Sequence, residues 1–192
     1  MKVCYWVLAA SLLAMGVGCA KAPPVPQPPQ LLRPATIKDI MDSMVNPSGE
    51  FLFESIQEIS DEHGIREKAP KSDADWEEVR EHVFVLLEAP NLLAMPGRRV
   101  APADVKSQNP AIELEPAQIQ ALIDADHPAF IRRARRLQDA AAVALKAVDA
   151  KDKDALFKAE DGIDAACENC HLHYWYPNDK RAQQAAKEQG IH

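Results

Sequence analysis

The 192-residue chain has no convincing β-strand, for nowhere do apolar and polar residues alternate cleanly between turn signals. That sets aside sandwiches, barrels and parallel α/β folds. An excess of positive charge is also missing. With 22 Lys and Arg against 29 Asp and Glu, the net charge is −7, which argues against nucleic acid as a partner. Cysteine is scarce, at four residues, and no second Cys or His pair stands elsewhere to complete a tetrahedral zinc site. The apolar run at residues 3–17, broken only by Ser11, is too short for a comfortable membrane span. No base, nucleophile or substrate pocket is visible, so the chain is not read as an enzyme.

What the chain does have is Cys167-Glu168-Asn169-Cys170-His171. This is C-x-x-C-H, the attachment pattern for c-type haem. Each cysteine sulfur adds to a haem vinyl group, and the adjacent His171 offers an imidazole nitrogen to the iron. On a helix, positions three and four apart share a face, so one turn can clamp the porphyrin edge and ligate its metal. A zinc reading would crowd Cys167, Cys170, His171 and His173 onto seven residues of one helix end, a poor tetrahedron. A thioredoxin-like dithiol belongs at the start of a helix after a strand, whereas this one ends a long helical run. A disulfide between the neighbouring thiols is the bland alternative. One covalently attached haem c is the favoured reading.

The N-terminus agrees with that chemistry. Lys2, the apolar run and small residues at Gly16, Gly18 and Ala20 read as a secretory signal over residues 1–20. Cys19 stands where a lipoprotein signal places its lipidated cysteine, and plain cleavage after Ala20 is the alternative. Cys4 lies inside the signal, so no cysteine pair is left over for a structural disulfide. Residues 21–35 follow as a linker, with Pro23, Pro24, Pro26, Pro28, Pro29 and Pro34 favouring extended geometry and a semi-rigid spacer. Export implies a periplasmic protein, anchored to a membrane if Cys19 carries lipid.

Residues 36–177 read as four amphipathic helices. The first opens on the capping box at Thr36 and Asp39, presents Ile37, Ile40, Met41, Met44 and Val45, is interrupted at Pro47 and resumes through Ile59 until Gly64. The second is capped by Ser72 or Asp73 and buries Trp76, Val79, Val83, Leu86 and Leu87, with Pro90 ending or restarting it. A long proline-bearing surface loop follows. The third starts near Glu115 and Pro116, kinks at Pro128 and continues its face through Phe130, Ala134, Leu137, Ala141, Leu145 and Val148. The fourth runs over Lys153–Tyr174 with Leu156, Ala159, Ile163, Ala166 and Cys170 inward, and Pro177 stops it. Residues 178–192 form a polar tail expected to be loosely held. The fold class is all-α: an antiparallel four-helix bundle with a haem near the C-terminal end of the last helix.

C-x-x-C-H close to the C-terminus, on the last of four helices, resembles the class II cytochromes c, the cytochrome c′ family and its low-spin methionine-ligated relatives. The resemblance covers residues 36–177 as helix order and motif position. It implies Cys167 and Cys170 as thioether attachments and His171 as proximal iron ligand. It also implies that the first helix faces the distal side of the haem, where Met41, and less strongly Met44, would be the sixth ligand. Family members often carry an arginine one turn before the distal residue. Here Ile37 and Ile40 stand at those places, so the haem carboxylates need another partner.

The remaining candidates have plainer readings. His82 could rival the methionines but reads as a polar residue at a stripe edge. His173 points away from the iron. Arg132, Arg133, Arg135 and Arg136 read as a solvated face, with haem-carboxylate pairing as the functional alternative. The expected function is electron transfer to redox partner proteins, with a homodimer left open. The alternative is a high-spin, cytochrome c′-like protein that binds small gases such as NO or CO.

Overall fold

The computed structural model describes residues 31–62 and 64–191. The signal at 1–20, Cys19 and most of the linker lie outside the described residues.

The chain is mostly helical, and its order is α1 (Ile37–Ile40), a π-helical turn (Met41–Val45), α2 (Asn46–Ser55), β1 (Gln57–Asp61), β2 (Gly64–Lys68), α3 (Asp73–Leu93), α4 (Pro116–Ala125), α5 (His127–Asp149), α6 (Lys153–Tyr174) and α7 (Lys180–Glu188). The described residues from Arg33 onward form one compact unit. Its centre is α5, which packs along both α3 and α6, while α2 lies on α3. No helix among the described residues is long and apolar enough to cross a membrane.

Small side chains let α5 and α6 approach closely. Ala141 and Ala144 are fully buried, and a Cβ placed on Gly162 of α6 would meet the Ala140 methyl at 3.7 Å. Leu52, Leu86, Leu156 and Ile163 fill the space between the helices without leaving surface exposed. Each such side chain contributes roughly 1.5–3 kcal/mol by leaving water.

The interruption expected at Pro47 takes the form of a change in winding, after which the helix runs on. Proline has no N–H and its ring collides with the carbonyl four residues back. The preceding residues widen into a π turn, in which the Asn46 N–H bonds to the Met41 carbonyl, five residues back. Pro90 is tolerated for a different reason. It lies fully buried inside α3 with only one turn of helix left, so one lost hydrogen bond is set against the burial of its ring.

Two expectations fail. The first helix does not run to Ile59. It stops at Ser55, whose hydroxyl donates to the Leu52 carbonyl at 2.7 Å, and Ile56 takes up extended geometry. The next residues form an antiparallel hairpin in which Gln57 pairs with Lys68 and Asp61 with Gly64. Gly64 has φ of +104°, which suits the turn and not a helix end. The fold is therefore mostly helical, as expected, with one small two-stranded sheet added. The hairpin is largely exposed and polar on both faces, so it carries no alternating signal.

The tail also differs from the loosely held segment expected. Asp179 caps α7 by accepting from the Arg181 and Ala182 N–H groups, and Ala186 is buried. At the other end, the linker is not free up to residue 35. The Ala35 carbonyl accepts from the buried Arg98 guanidinium at 2.5 Å.

Candidate functional site

The C-terminal half of α6 does not pack solidly. Beside it lies an apolar cavity, part of it open to solvent. Cys167, Cys170 and His171 line it from α6, together with Ala166, Tyr174 and Trp175. Helical spacing explains the grouping, since these positions follow one another at steps of three and four. From the first helix come Ile37, Met41 and Val45, at steps of four across the π turn. Leu93, Val100, Ile119, Ile123, Phe130 and Leu137 complete an almost wholly apolar wall.

The candidates separate cleanly by place. Met41 lines the cavity with the motif residues, while Met44 packs on the core without lining it. His82 is elsewhere: its ring stacks on Phe51 with centroids 4.0 Å apart, and its Nδ1 lies 3.1 Å from the Ser48 hydroxyl. His173 is exposed, and its ring stands edge-on to Tyr174 at 4.6 Å. The arginine cluster divides. Arg133 lines the cavity, whereas Arg132, Arg135 and Arg136 are exposed. Asn169, inside the motif, faces the opposite way, into a groove shared with Ala186 and Ile191.

The position of Met41 is fixed from two sides. Thr36 and Asp39 form the reciprocal cap that the sequence announced. The first helical N–H groups, of Ile37 and Lys38, donate to the carbonyls of Arg99 at 2.8 Å and Val100 at 2.9 Å. The loop after α3 thus satisfies donors that a helix start leaves orphaned. Arg98 anchors that loop. Its guanidinium is 5% exposed and donates to the carbonyls of Leu92 at 2.6 Å and Ala35, and to Met95 Sδ. Sequence reading took this stretch for a surface loop and missed both Arg98 and Val100. A buried arginine amid prolines and glycine leaves no periodic signal. Gly97, with φ of +72°, makes the turn that aims it.

The far end of the motif is fixed in the same way. The Trp175 and Tyr176 N–H groups both donate to the His171 carbonyl, at 2.7 and 3.0 Å. The Trp175 carbonyl accepts from the Leu114 N–H at 2.8 Å, and the Tyr176 hydroxyl donates to Glu168 at 2.7 Å. Burial would raise the Glu113 carboxyl, but donors from Asn109, Ser107, Trp175 and Gln108 hold it below its ordinary value.

The electrostatics favour neutral groups. Burial is the main cause pushing the Cys167 thiol up to about 11 and the Cys170 thiol up to about 12. Burial also depresses His171, against the opposing pull of Glu168 and Asp164, so the imidazole is held neutral. A neutral imidazole is the form that ligates a metal. Neither cysteine is in a disulfide. Among the described residues, no three or more His, Cys, Asp and Glu side chains are arranged to hold a bare metal ion.

No family model matches this chain, and no curated protein or solved structure matches it. Function has to be read from the cavity.

The chemistry of that cavity fits a haem on three counts. The wall is apolar, as a porphyrin face requires. Its two thiols and imidazole come from one helix turn, and a soft thioether comes from another element. Two polar atoms on the wall, Arg133 Nε and the Tyr174 hydroxyl, are buried without a hydrogen-bond partner. Buried donors in native proteins are nearly always satisfied, so a ligand bearing acceptors suits this wall better than an apolar one.

Proposed function

We propose that this chain is an exported electron carrier of the class II cytochrome c type, with one covalently attached haem c. One observation carries the reading: the two thiols and the imidazole of C-x-x-C-H share a single apolar cavity with a methionine from the first helix. On this reading the segment from α1 to α2, α3, α4 with α5, and α6 form an antiparallel four-helix bundle, with the haem near the C-terminal end of α6. Cys167 and Cys170 hold the haem, His171 is the proximal ligand and Met41 the distal one, with Met44 the weaker candidate because it lies off the wall.

The haem supplies a reversible one-electron change at iron. The chain supplies the rest. His171 is kept neutral by burial, and the Trp175 and Tyr176 N–H groups fix its carbonyl and so the orientation of that turn. The thioether of Met41 favours ferrous iron and a high potential. Phe130, Leu137 and Ile123 keep water from the cavity wall. The periplasmic setting, redox partner proteins and a lipid tether at Cys19 belong to the same reading and rest on the leader sequence. A homodimer stays open.

The second reading, a gas-binding cytochrome c′-like protein, draws on the neighbours of Met41. Ile37 and Val45 flank it on the same wall and would guard an open iron position equally well. Two measurements decide. Protein matured with haem-attachment machinery should keep its haem through denaturation and acid-organic extraction, and Cys167→Ala with Cys170→Ala should release it. Freely extracted wild-type haem would sink both readings. The oxidised spectrum should then be low-spin with a weak near-infrared sulfur-to-iron band. A high-spin spectrum with rapid CO binding would select the gas-binding reading.

A further inference from the structure

We infer that Arg133 and Tyr174 hold one carboxylate of the haem, the role that the first helix leaves vacant with Ile37 and Ile40. The inference rests on the cytochrome reading and goes one residue pair further.

The argument starts from hydrogen-bond accounting. Tyr174 is 4% exposed, lines the cavity, and its hydroxyl has no partner. Arg133 lines the same cavity, and its Nε–H is buried without a partner. Its guanidinium carbon lies 5.7 Å from the centre of the Tyr174 ring, so the two side chains are neighbours. An arginine N–H can only donate and a phenol donates readily. Two adjacent unpartnered donors on one cavity wall call for an acceptor, and a positive guanidinium makes that acceptor an anion. The carboxylates are the anionic groups that haem c brings.

Tyr174 lies four residues beyond Cys170, about 6 Å further along the helix axis, so it continues the face of α6 that carries the motif. Phe130 holds its ring in place edge-on, with centroids 5.3 Å apart. Arg133 is the one charged side chain lining the cavity among the described residues. The exposed members of the arginine cluster serve as internal controls.

The test uses haem-loaded protein and reads the potential. Arg133→Leu should shift the ferrous-to-ferric ratio toward ferric at a fixed solution potential, on the order of tenfold, because the carboxylate charge is no longer balanced. Arg133→Lys should restore most of that shift. Arg135→Leu removes the same charge from an exposed site and should leave the ratio unchanged. Tyr174→Phe supplies a second arm with a sign. In the haem-free chain it removes a buried hydroxyl that has no partner, so the denaturation midpoint should rise. In the loaded protein it removes a bond, so the midpoint should fall. Equal potentials for Arg133→Leu and wild type would overturn the inference, as would Tyr174→Phe moving both forms the same way. If the haem-free chain does not fold, the Arg133 potentials alone decide. Failure of wild-type haem retention would instead overturn the cytochrome reading itself, so the two failures are distinguishable.

Discussion

The two halves of α6 are built to different standards. From Leu156 to Ile163 the inward side chains are sealed against α5, with Gly162 against Ala140 and no surface left on Leu156 or Ile163. From Ala166 to Trp175 the same helix faces a cavity, and Cys167, Cys170 and His171 stay half-buried on its wall. Protein interiors ordinarily reach crystal-like density, and this half of the helix departs from that. The packed half holds the helix steady; the hollow half carries the motif.

Large-to-small changes should sharpen that contrast first. In the packed half, Leu156→Ala should cost about 2–5 kcal/mol in chemical denaturation, because the site cannot collapse. On the α5 side of the cavity, Leu137→Ala should sit at the low end of that range for the haem-free chain, since its side chain already lacks neighbours on one side. With haem bound, the Leu137→Ala cost should grow toward that of Leu156→Ala. Equal costs in the haem-free chain would mean that the cavity closes in solution.

Next comes the frame of the hollow half. Arg98→Ala should cost about 3 kcal/mol, because the carbonyls of Ala35 and Leu92 lose a charged donor. It should also loosen the first helix turn. Hydrogen exchange at the Ile37 and Lys38 amides should accelerate, whereas amides of α5 should not respond.

Met41→Ala should matter less to folding, about 1 kcal/mol, and more to the spectrum. Loaded protein should turn high-spin, lose the sulfur-to-iron band and bind CO rapidly. Met44→Ala should keep the band. Loss of the band in Met44→Ala alone would move the ligand to that residue.

The remaining test lies in the packed half. Burial, with Asp161 adding to it, pushes the Glu160 carboxyl up to about 8. A carboxyl raised in the folded state binds its proton there over a range where the unfolded chain has released it. Stability should therefore fall as pH rises from about 4.5 toward 8. Glu160→Gln should flatten that slope relative to wild type. Parallel pH profiles for the two would show that Glu160 reaches solvent.

Legibility in the sequence follows how local the cause is. The limits of α6 and the caps at Thr36 and Ser72 were readable because caps and periodic stripes are encoded within a few residues. Cys167, Cys170 and His171 were readable for the same reason. The hairpin at residues 57–68 was not, because Ile56 and Ile59 continue the helical spacing and no proline or glycine marks the break at Ser55. Arg98 and Val100 were invisible because they bond a segment some 60 residues away, Val100 through the Lys38 N–H and Arg98 through the Ala35 carbonyl, and no local pattern records such a pairing. Arg133 was hidden inside its own cluster, where four arginines in five residues look alike until the cavity singles one out. Tyr174 was within reach of the sequence: it repeats the Cys170 face one turn on.

The π turn at Met41–Val45 bears on which length changes the chain can tolerate. It amounts to one surplus residue wound into a helix. A π turn takes up its surplus residue locally, so deleting one residue between Met41 and Val45 would let the segment rewind as ordinary helix with its flanks close to their present orientation. Ile37 and the cap at Thr36 would keep their places, and the change would fall on the turn itself, where Met41 meets the cavity wall. A second deletion would have no surplus to draw on and would rotate everything upstream by about 100°.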